Sequence, residues 1–333
     1  MQVLINDYPV DFELEQERSV SDIISSVSEW SRERDLVFYE LYINDDLFPL
    51  DRVPDVDIDD INIINCIVHS KADIVFSSVD EAARYCDRVS LFVGRVVDTG
   101  EWGENEGGDL AQGTEWLMEV LVKVLNLLGI SAGGLKLRDR DVAEHITAIG
   151  TFLGTLRGIS DPSAARALLA AEKELFADIK QIFRMLIQSD AMRSLIVQSI
   201  DSPDVLIAAL VKTGEELSGQ LENIQAAAIA YQTGRDAEGS ERLKAFVDFI
   251  YRYTRTCYQA APVFKIDPAR ISVGGVSLEQ KNRELRDLLH EIIGIMENND
   301  IISLSDILEY EIVPALSNLG EYIDLLLKNI SND

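Results

Sequence analysis

The sequence Ile61-Asn-Ile-Ile-Asn-Cys-Ile-Val-His-Ser-Lys-Ala72 marks the point at which the chain changes character. Its first eight residues are rich in β-branched side chains, which predicts a strand. Most of the chain after Ala72 has the apolar spacing and capping signals of helices. We therefore predict an α+β protein, with a small sheet domain over residues 1–72 and a large all-α helical bundle over residues 73–333.

Upstream of this strand, the sequence predicts a hairpin, a helix and a further strand. The hairpin pairs residues 3–5 with residues 9–14 about the turn Asn6-Asp7, because Asn and Asp tolerate positive φ. Leu36–Ile43 returns to strand character and ends at a second such turn pair, Asn44-Asp45. The helix between them is predicted from apolar residues spaced as on one helix face: Val20, Ile23, Ile24, Val27 and Trp30.

The order of these elements in residues 1–70 resembles the ubiquitin-like β-grasp fold. Members of that family that act as protein modifiers are joined through a free C-terminal Gly-Gly after the last strand. Here the last strand runs into His69-Ser70-Lys71-Ala72 and the chain continues, so conjugation of this kind is excluded. What the resemblance leaves is docking, through a face of the sheet or an exposed edge strand.

A second resemblance concerns the whole chain. The N-terminal segment, taken together with residues 304–314, is similar to uncharacterised bacterial proteins that join a short β-grasp segment to a helical domain. This resemblance implies an architecture and carries no activity.

The chain is strongly acidic. Its formal net charge is −28, with 58 acidic and 30 basic side chains, and residues 1–70 hold 17 of the acids and 4 of the bases. Such a surface repels phosphate backbones and anionic lipids, so we expect neither nucleic-acid nor membrane binding. The expected partner is another protein with a basic surface, and the sequence leaves the oligomeric state open.

Three features predict a cytoplasmic protein. Cys66, Cys86 and Cys257 have no metal or redox spacing, as expected of small buried thiols in a reducing compartment. The start of the chain has no basic segment and meets an acid at Asp7, so it does not resemble a signal peptide. The most apolar predicted helix, over residues 117–130, is interrupted by charged residues and is too short to span a bilayer.

The acidic run between Asp55 and Asp60 raises the question of calcium binding. An EF-hand loop that began at Asp55 would need glycine at its sixth position and glutamate at its twelfth. The chain has Asp60 and Cys66 at those positions. A solvated acidic loop is therefore the preferred interpretation, and cation binding by the run is left open.

The helical region has clear start and stop signals. Asp161-Pro162 and Ser202-Pro203 each place a capping side chain before a proline at the first helical position. Pro314 should kink or break the last helix, and a break is also expected near Ser189-Asp190. The predicted helices cover residues 78–98, 113–129, 139–157, 162–199, 203–232, 238–260, 278–298 and 303–329.

Two parts of the helical region share a pattern. Thr99-Gly100 precedes Ala-Gln-Gly-Thr-Glu at residues 111–115, and Thr233-Gly234 precedes Ala-Glu-Gly-Ser-Glu at residues 237–241. Beyond these motifs the apolar positions stay in register at an offset of 126 residues. We predict an internally duplicated helical unit, and we expect the motif glycines to allow tight turns.

His145 and His290 are the candidates for chemistry, because each lies on a predicted helix and raises the question of phosphotransfer. Histidine phosphotransfer helices need an exposed histidine, usually with a lysine shortly after it. Ile146, Thr147 and Ala148 follow His145 instead, and the residues after His290 do not match a kinase dimerisation helix. We expect both to be partly exposed histidines without a chemical role.

The sequence predicts no cofactor and no metal site. The histidines have no ligand spacing, and the Gly-Gly pairs lack the other residues of a phosphate-binding loop. No serine or cysteine has the sequence surroundings of a nucleophile.

An aromatic and basic cluster, formed by Tyr251, Arg252, Arg255 and Tyr258, stands out in this acidic chain. Tyrosine and arginine concentrate binding energy at interfaces, so we predict that these residues contact a partner. In the alternative, the arginines only neutralise nearby acids. Trp102, in an acidic glycine-rich loop, is a further candidate, either as an exposed contact or as a plug over the helical bundle.

Taken together, these features predict a non-enzymatic protein–protein interaction module, such as an adaptor, an assembly factor or a chaperone-like protein. The acidic sheet domain would contact a basic partner, and the helical domain would offer grooves for amphipathic segments. The alternative is a phosphotransfer protein or an enzyme that uses His145 or His290. A histidine in a cleft, with a lysine and acids around it, would favour that alternative.

Overall fold

The computed structural model describes residues 1–10, 19–50, 61–103, 105–159, 161–200, 202–298 and 300–331. It has a small N-terminal mixed sheet followed by a large helical region, which confirms the predicted α+β class. The chain divides into two compact units, Met1–Ile187 and Gln188–Asp333. The domain boundary that we placed after residue 72 falls inside the first unit and stays a prediction.

The N-terminal sheet contains a mixture of parallel and antiparallel strands. In chain order, its described elements are β1 (Gln2–Ile5), β2 (Tyr8–Pro9), α1 (Val20–Glu33), β3 (Leu36–Ile43), β4 (Asp46–Phe48) and β5 (Ile63–Ser70). The strand order across the sheet is β2-β1-β5-β3-β4. Strands β1 and β5 run parallel, and the other neighbouring pairs are antiparallel.

Helix α1 packs on one face of this sheet. It begins at a capping box in which Ser19 and Asp22 each bond the backbone N–H of the other. Every second side chain of β5 is buried, as expected of a strand with one face against a core. The core between the helix and the sheet consists of Val20, Ile23, Val27, Leu41, Ile43, Ile61, Ile64, Cys66 and Val68.

Both predicted turn pairs are confirmed. Asn6, Asp7, Asn44 and Asp45 all have positive φ, between 48° and 70°. The Asn6 side chain also continues the pairing of β1 with β5: its Nδ2 donates to the Val68 carbonyl at 3.0 Å, and its Oδ1 accepts from the Val68 N–H at 2.8 Å. Most of the predicted second strand, residues 9–14, lies outside the described residues.

The helices of the first unit follow directly from the sheet, because Ser70 ends β5 and caps the next helix. The described elements are α2 (Lys71–Thr99), α3 (Glu106–Leu128), β6 (Lys136–Leu137), β7 (Arg140–Asp141), α4 (Val142–Leu156), α5 (Pro162–Ala171) and α6 (Leu175–Ile187). Helix α2 packs against α3, α5 and α6. Lys180 of α6 forms an ion pair with Asp87 of α2, with Nζ 2.7 Å from Oδ2.

The described part of the second unit contains helices and one short hairpin. Its described elements are α7 (Asp190–Gln198), α8 (Asp204–Gln232), α9 (Asp236–Val263), β8 (Ser272–Val273), β9 (Val276–Ser277), α10 (Leu278–Glu297), α11 (Ile301–Ile307), a π-helical turn (Leu308–Ile312), α12 (Val313–Leu316) and α13 (Leu319–Ser331). Its core is built on α8 and α9, which pack against each other along their length. Among the described helices of either unit, none is both long enough and apolar enough to cross a membrane.

The predicted break at Ser189-Asp190 is confirmed, whereas the helix is not broken at Pro314 and continues to Leu316. Helix α6 ends at Ile187, and α7 starts at Asp190 with Ser189 as its cap. Proline has no N–H to donate to the carbonyl four residues earlier, which is that of Tyr310. The chain passes through a π-helical turn just before Pro314 and resumes as α12.

The two units share an order of elements that an internal duplication predicts. In each, two long helices are followed by a hairpin of two-residue strands and then by a helix that starts with a capping box. The order α2-α3-β6-β7-α4 thus matches α8-α9-β8-β9-α10, and both α2 and α8 have 29 residues.

Our expectation for the motif glycines was right for Gly100 and Gly234, which have positive φ after α2 and α8, and wrong for Gly113 and Gly239. Gly113 and Gly239 lie inside α3 and α9 and form no turn. Instead, each leaves room for a tyrosine of the preceding helix. A Cβ at Gly113 would overlap the Tyr85 hydroxyl, and a Cβ at Gly239 would lie 2.9 Å from the ring of Tyr231.

Candidate functional site

The outer face of the N-terminal sheet, opposite α1, presents a row of side chains. Leu4 of β1 is in register with Asn65 of β5, and Tyr42 of β3 is in register with both Asn65 and Leu47 of β4. Neighbouring strands lie about 4.8 Å apart, so this row is roughly 14 Å long. Leu47 is 60% exposed, and the other three are half-buried. We call Leu4, Asn65, Tyr42 and Leu47 the outer-face row.

Carboxylates give the outer-face row a negative field. The Tyr42 hydroxyl donates to Glu40 Oε2 at 3.0 Å, and Asn65 Nδ2 donates to Asp7 Oδ1 at 2.6 Å. The hydrogen bond to Glu40 raises the pKa of Tyr42, and partial burial and the charges of Glu40 and Asp7 raise it further. The row therefore combines apolar and aromatic area with two acceptors that favour a cationic group.

The edges of this sheet are less suited than its face to bind a partner. Proline cannot donate a ladder hydrogen bond, so a proline at an edge discourages the addition of a strand. Pro9 lies within the edge strand β2, and Pro49 follows the edge strand β4 directly. Of the two docking modes that the β-grasp resemblance implies, the geometry favours the face.

The predicted aromatic and basic cluster lies on α9, and the structure divides it. Tyr251, Arg252 and Arg255 are exposed, whereas Tyr258 is half-buried beneath an arginine of α10. The Arg252 guanidinium lies 3.1 Å from the carboxylate of Glu216 on α8, as the alternative of local neutralisation expects. Partner contact by the three exposed residues stays a prediction.

A shallow groove of about 600 Å³ runs between α8 and α9 beside Arg252. Its lining is mainly polar and includes Glu215, Glu216, Gln220 and Asn223. Small-molecule sites are concave and mostly apolar, so this groove does not resemble one.

Trp102 is half-buried, and its contacts fit the second of the two roles that we considered, a plug over the helical bundle, while partner contact by Trp102 stays a prediction. Its ring packs on Phe92 of α2, with the ring centres 6.1 Å apart. It also lies over Gly107 of α3, where a Cβ would come within 3.1 Å of the indole. Trp102 therefore closes the junction between α2 and α3.

The two candidate histidines differ in their surroundings. His145 is buried, with 3% of its surface exposed, so our expectation of partial exposure was wrong for it. Its Nε2 has no hydrogen-bond partner in the part of the chain that the structure describes. His290 is exposed, and its Nδ1 lies 2.9 Å from the carbonyl of Arg286 on the same helix. Neither arrangement favours the phosphotransfer alternative, which stays a prediction.

The cysteines are poor nucleophiles. Burial raises the pKa of Cys66, Cys86 and Cys257 to about 12 in each case, so these thiols remain protonated near neutral pH. The structure shows all three as free thiols.

Within the described residues, no group of three or more His, Cys, Asp and Glu side chains could hold a metal ion. The acidic run between Asp55 and Asp60 lies outside those residues, so its interpretation as a solvated loop stays a prediction.

Sequence reasoning missed a buried polar group in the second unit. The Cys257 thiol is hydrogen-bonded to Tyr253 and Asn282, and both bonds oppose the effect of burial on its pKa. Lys281 is only 5% exposed, and its Nζ lies 2.9 Å from Glu284 Oε2. The available signal was that Lys281 and Asn282 fall on the same helix face as the core residues of α10.

Comparison with known proteins finds similarity in two regions. Residues 209–322 match the model of a domain of unknown function (DUF8042), and residues 1–70 match that of the TP0873 N-terminal domain. An uncharacterized protein of Treponema pallidum (strain Nichols) is 23% identical over 185 residues, which cover 55% of this chain and 90% of that protein. No solved structure matches. The chain is thus similar to an uncharacterised bacterial protein, and it joins a small N-terminal sheet to a helical region.

Proposed function

We propose that the protein is a non-enzymatic protein–protein interaction module whose N-terminal sheet binds a basic partner surface. The observation that carries this proposal is the outer-face row, in which Tyr42 and Leu47 lie beside the carboxylates of Glu40 and Asp7. Apolar and aromatic side chains supply contact area, and carboxylates select a positively charged partner. Residues 1–70 contain 17 acids and 4 bases, and this negative charge would steer such a partner toward the sheet.

The β-grasp assignment is part of this proposal. Its support is the hairpin of β1 and β2, the parallel pairing of β1 with β5, and the packing of α1 on one face only. With one face covered by α1 and both edges marked by proline, the other face is the surface available for docking.

The proposal of a non-catalytic role rests on the state of the candidate reactive groups. Each thiol is held protonated by burial, and His145 is buried in the core of its unit. A phosphoryl acceptor or a nucleophile has to reach its substrate, which the positions of the thiols and of His145 do not allow. His290 is exposed, but no lysine follows it on α10 to hold a phosphoryl group. A cytoplasmic location belongs to the same proposal, because three free buried thiols suit a reducing compartment.

A capture experiment with matched variants tests the proposal. The tagged full-length protein, its Leu47→Lys variant and its Leu91→Lys variant are incubated with extract of the host organism. Leu91 lies on α2 and is 78% exposed, so its replacement makes the same chemical change away from the sheet. Quantitative mass spectrometry should find a basic protein captured by the parent and by Leu91→Lys, and reduced about tenfold with Leu47→Lys.

The captured protein is then purified and its dissociation constant measured at two salt concentrations. Affinity should fall as salt rises, because the contact is electrostatic at its rim. Capture of one set of proteins by all three forms would contradict a role for the outer-face row, and a turnover substrate would contradict the non-enzymatic role.

A further inference from the structure

Apolar side chains are grouped on the outer face of the N-terminal sheet. When one face of a sheet is solvated, that face normally carries polar side chains. Here strand pairing places apolar and aromatic side chains from four strands on it: Leu4, Val37, Tyr42, Leu47, Ile63 and Ile67. Scattered apolar residues are ordinary on protein surfaces, whereas grouped ones mark binding sites.

The register of the strands shows that these side chains share one surface. Residues directly opposite each other in paired strands point to the same face, so the outer-face row is continuous from β1 to β4. Ile67 follows Asn65 by two residues in β5 and therefore points to the same face, beside the row. The outer face thus has a row of side chains across the strands and further apolar area next to it.

Both carboxylates of this face lie on the same side of the outer-face row. Strand β1 runs parallel to β5, and β3 runs antiparallel to it. Asp7, three residues after Leu4, and Glu40, two residues before Tyr42, are therefore displaced from the row in the same direction. The described side-chain contacts use one oxygen of each carboxylate, so the other oxygen can accept a hydrogen bond from a lysine or an arginine.

Helix α1 shows what covers the opposite face of this sheet. It has 14 residues and supplies Val20, Ile23 and Val27, at helical spacing, to the core beneath it. Pairing a sheet face with a helix is one of the few stable layer arrangements of proteins. The outer-face row is roughly 14 Å long, which equals about nine residues of helix at 1.5 Å per residue. Two to three turns of a helix would therefore span it.

The charge of the molecule decides where such a helix comes from. A second copy of this chain would bring a net charge of −28 and the same acidic sheet, so electrostatic repulsion opposes it. A helix with an apolar stripe and a basic flank is complementary both to the row and to the two carboxylates beside it. The fitting occupant is thus a segment of a different, basic protein.

We propose that the outer face binds an amphipathic helix of the partner protein. Apolar side chains of that helix cover Leu4, Tyr42 and Leu47, and lysines or arginines along one flank pair with Glu40 and Asp7. The sheet then lies between two helices, α1 on one face and the partner's helix on the other. This inference rests on the proposed function, because it names the structural form of the basic partner.

The test uses the full-length protein and a defined peptide. The probe is a fluorescein-labelled peptide of about 18 residues, with leucines along one stripe, lysines along one flank and glutamines elsewhere. A second peptide has the same composition in an order without an apolar stripe. Fluorescence anisotropy should show binding of the amphipathic peptide, and at least tenfold weaker binding of the scrambled one.

Matched variants locate the contact. Leu47→Lys should lower the affinity for the amphipathic peptide at least tenfold, and Leu91→Lys, on α2, less than about threefold. Leu47 and Leu91 are both exposed, so both variants should keep the far-UV circular dichroism and melting temperature of the parent. Glu40→Gln should weaken binding about threefold and reduce its salt dependence, whereas Glu241→Gln, at an exposed position of α9, should change neither.

Two results would overturn the inference and leave the proposed function standing. Equal affinity for the two peptides would show that only charge is recognised. Equal affinity of Leu47→Lys and Leu91→Lys for the amphipathic peptide would place the helix elsewhere on the molecule. In either case, capture of a basic protein from host extract that still depends on Leu47 would mean that the outer face binds a surface other than a helix. Loss of that dependence as well would contradict both proposals.

Discussion

In each of the two units, a glycine of the second long helix makes room for a tyrosine of the first. The two tyrosines, however, do not lie at equivalent positions of their helices. Gly113 of α3 makes room for Tyr85, and Gly239 of α9 makes room for Tyr231. The glycines are 126 residues apart, as the duplicated pattern requires, whereas the tyrosines are 146 apart. The feature that the two units share is therefore the close approach of their first two long helices. The tyrosine ring that fills the space beside the glycine can come from a different turn of the neighbouring helix.

The residue after each glycine supports this view. The Ser240 hydroxyl lies 3.1 Å from the Tyr231 hydroxyl. In the first unit, burial raises the pKa of Tyr85, and a hydrogen bond with Thr114 opposes that effect. In both units, therefore, a glycine makes room for a tyrosine ring, and the hydroxyl of the residue after that glycine is hydrogen-bonded to the tyrosine.

The largest expected effect comes from filling the two glycine positions. Gly113→Ala should destabilise the first unit by about 2 kcal/mol, because its methyl group would overlap the Tyr85 hydroxyl. Gly239→Ala should cost the second unit only about 0.5 kcal/mol, because the overlap is smaller and alanine favours the helix. Urea unfolding followed by tryptophan fluorescence measures the change in the first unit, because all three tryptophans lie there. Far-UV circular dichroism, to which both units contribute, measures the change in the second unit.

Gly94→Ala and Gly219→Ala are the matched controls for this comparison. They lie in α2 and α8, and a Cβ at either position would meet nothing within 4 Å. Each should be neutral or stabilising by up to about 1 kcal/mol. If Gly113→Ala behaved like Gly94→Ala, this packing of glycine against tyrosine would not operate in the first unit.

An intermediate effect is expected at the capping boxes, where the two units are most alike. Asp141 caps α4 and Ser277 caps α10, each through the backbone N–H three residues later. Asp141→Ala and Ser277→Ala should each cost about 1 kcal/mol. Far-UV circular dichroism during urea unfolding follows both, with Ser272→Ala of β8 as an exposed control. A loss in one unit only would break the equivalence of α4 and α10.

The smallest effect concerns Glu106, at the start of α3. The backbone N–H of Gly103 donates to Glu106 Oε2 at 2.7 Å, and this bond, with Arg95, lowers the pKa of Glu106. Glu106→Gln should therefore cost about 0.5 kcal/mol at neutral pH. The folded pKa lies below the unfolded value of about 4.3, so the stabilisation is present above that pH and is lost as pH falls through the folded pKa.

Tryptophan fluorescence during urea unfolding, repeated between neutral and acidic pH, measures this difference. The gap between the parent and Glu106→Gln should close below about pH 4. Glu238→Gln, at the start of α9, is the control and should not change the fluorescence transition. A gap that stayed constant with pH would mean that the Glu106 charge contributes nothing.

Much of the fold was predictable because its signals are local. The turn pairs at Asn6 and Asn44 follow from residues that tolerate positive φ, and the break at Ser189 follows from capping. The break between α5 and α6 was not predicted. It falls in Glu172-Lys173-Glu174, which are good helix formers, so packing rather than propensity ends α5 there.

The candidate site was less predictable because it depends on contacts between distant residues. The outer-face row is assembled from four strands, so no single segment of sequence contains it. The burial of His145 depends on neighbouring helices, which the sequence around it does not reveal.

The side-chain amide of Asn6 affects how the N-terminal sheet can pair with strands of other molecules. Strand β1 ends at Ile5, which pairs with Cys66 of β5. Beyond that point β1 no longer continues beside β5, so the N–H and carbonyl of Val68 would lack a strand partner on that side. The Asn6 amide donates one hydrogen bond to the Val68 carbonyl and accepts one from the Val68 N–H, as the backbone of a neighbouring strand would. Both backbone groups of Val68 are therefore satisfied within the chain on that side, and neither is left to pair with a strand of another molecule.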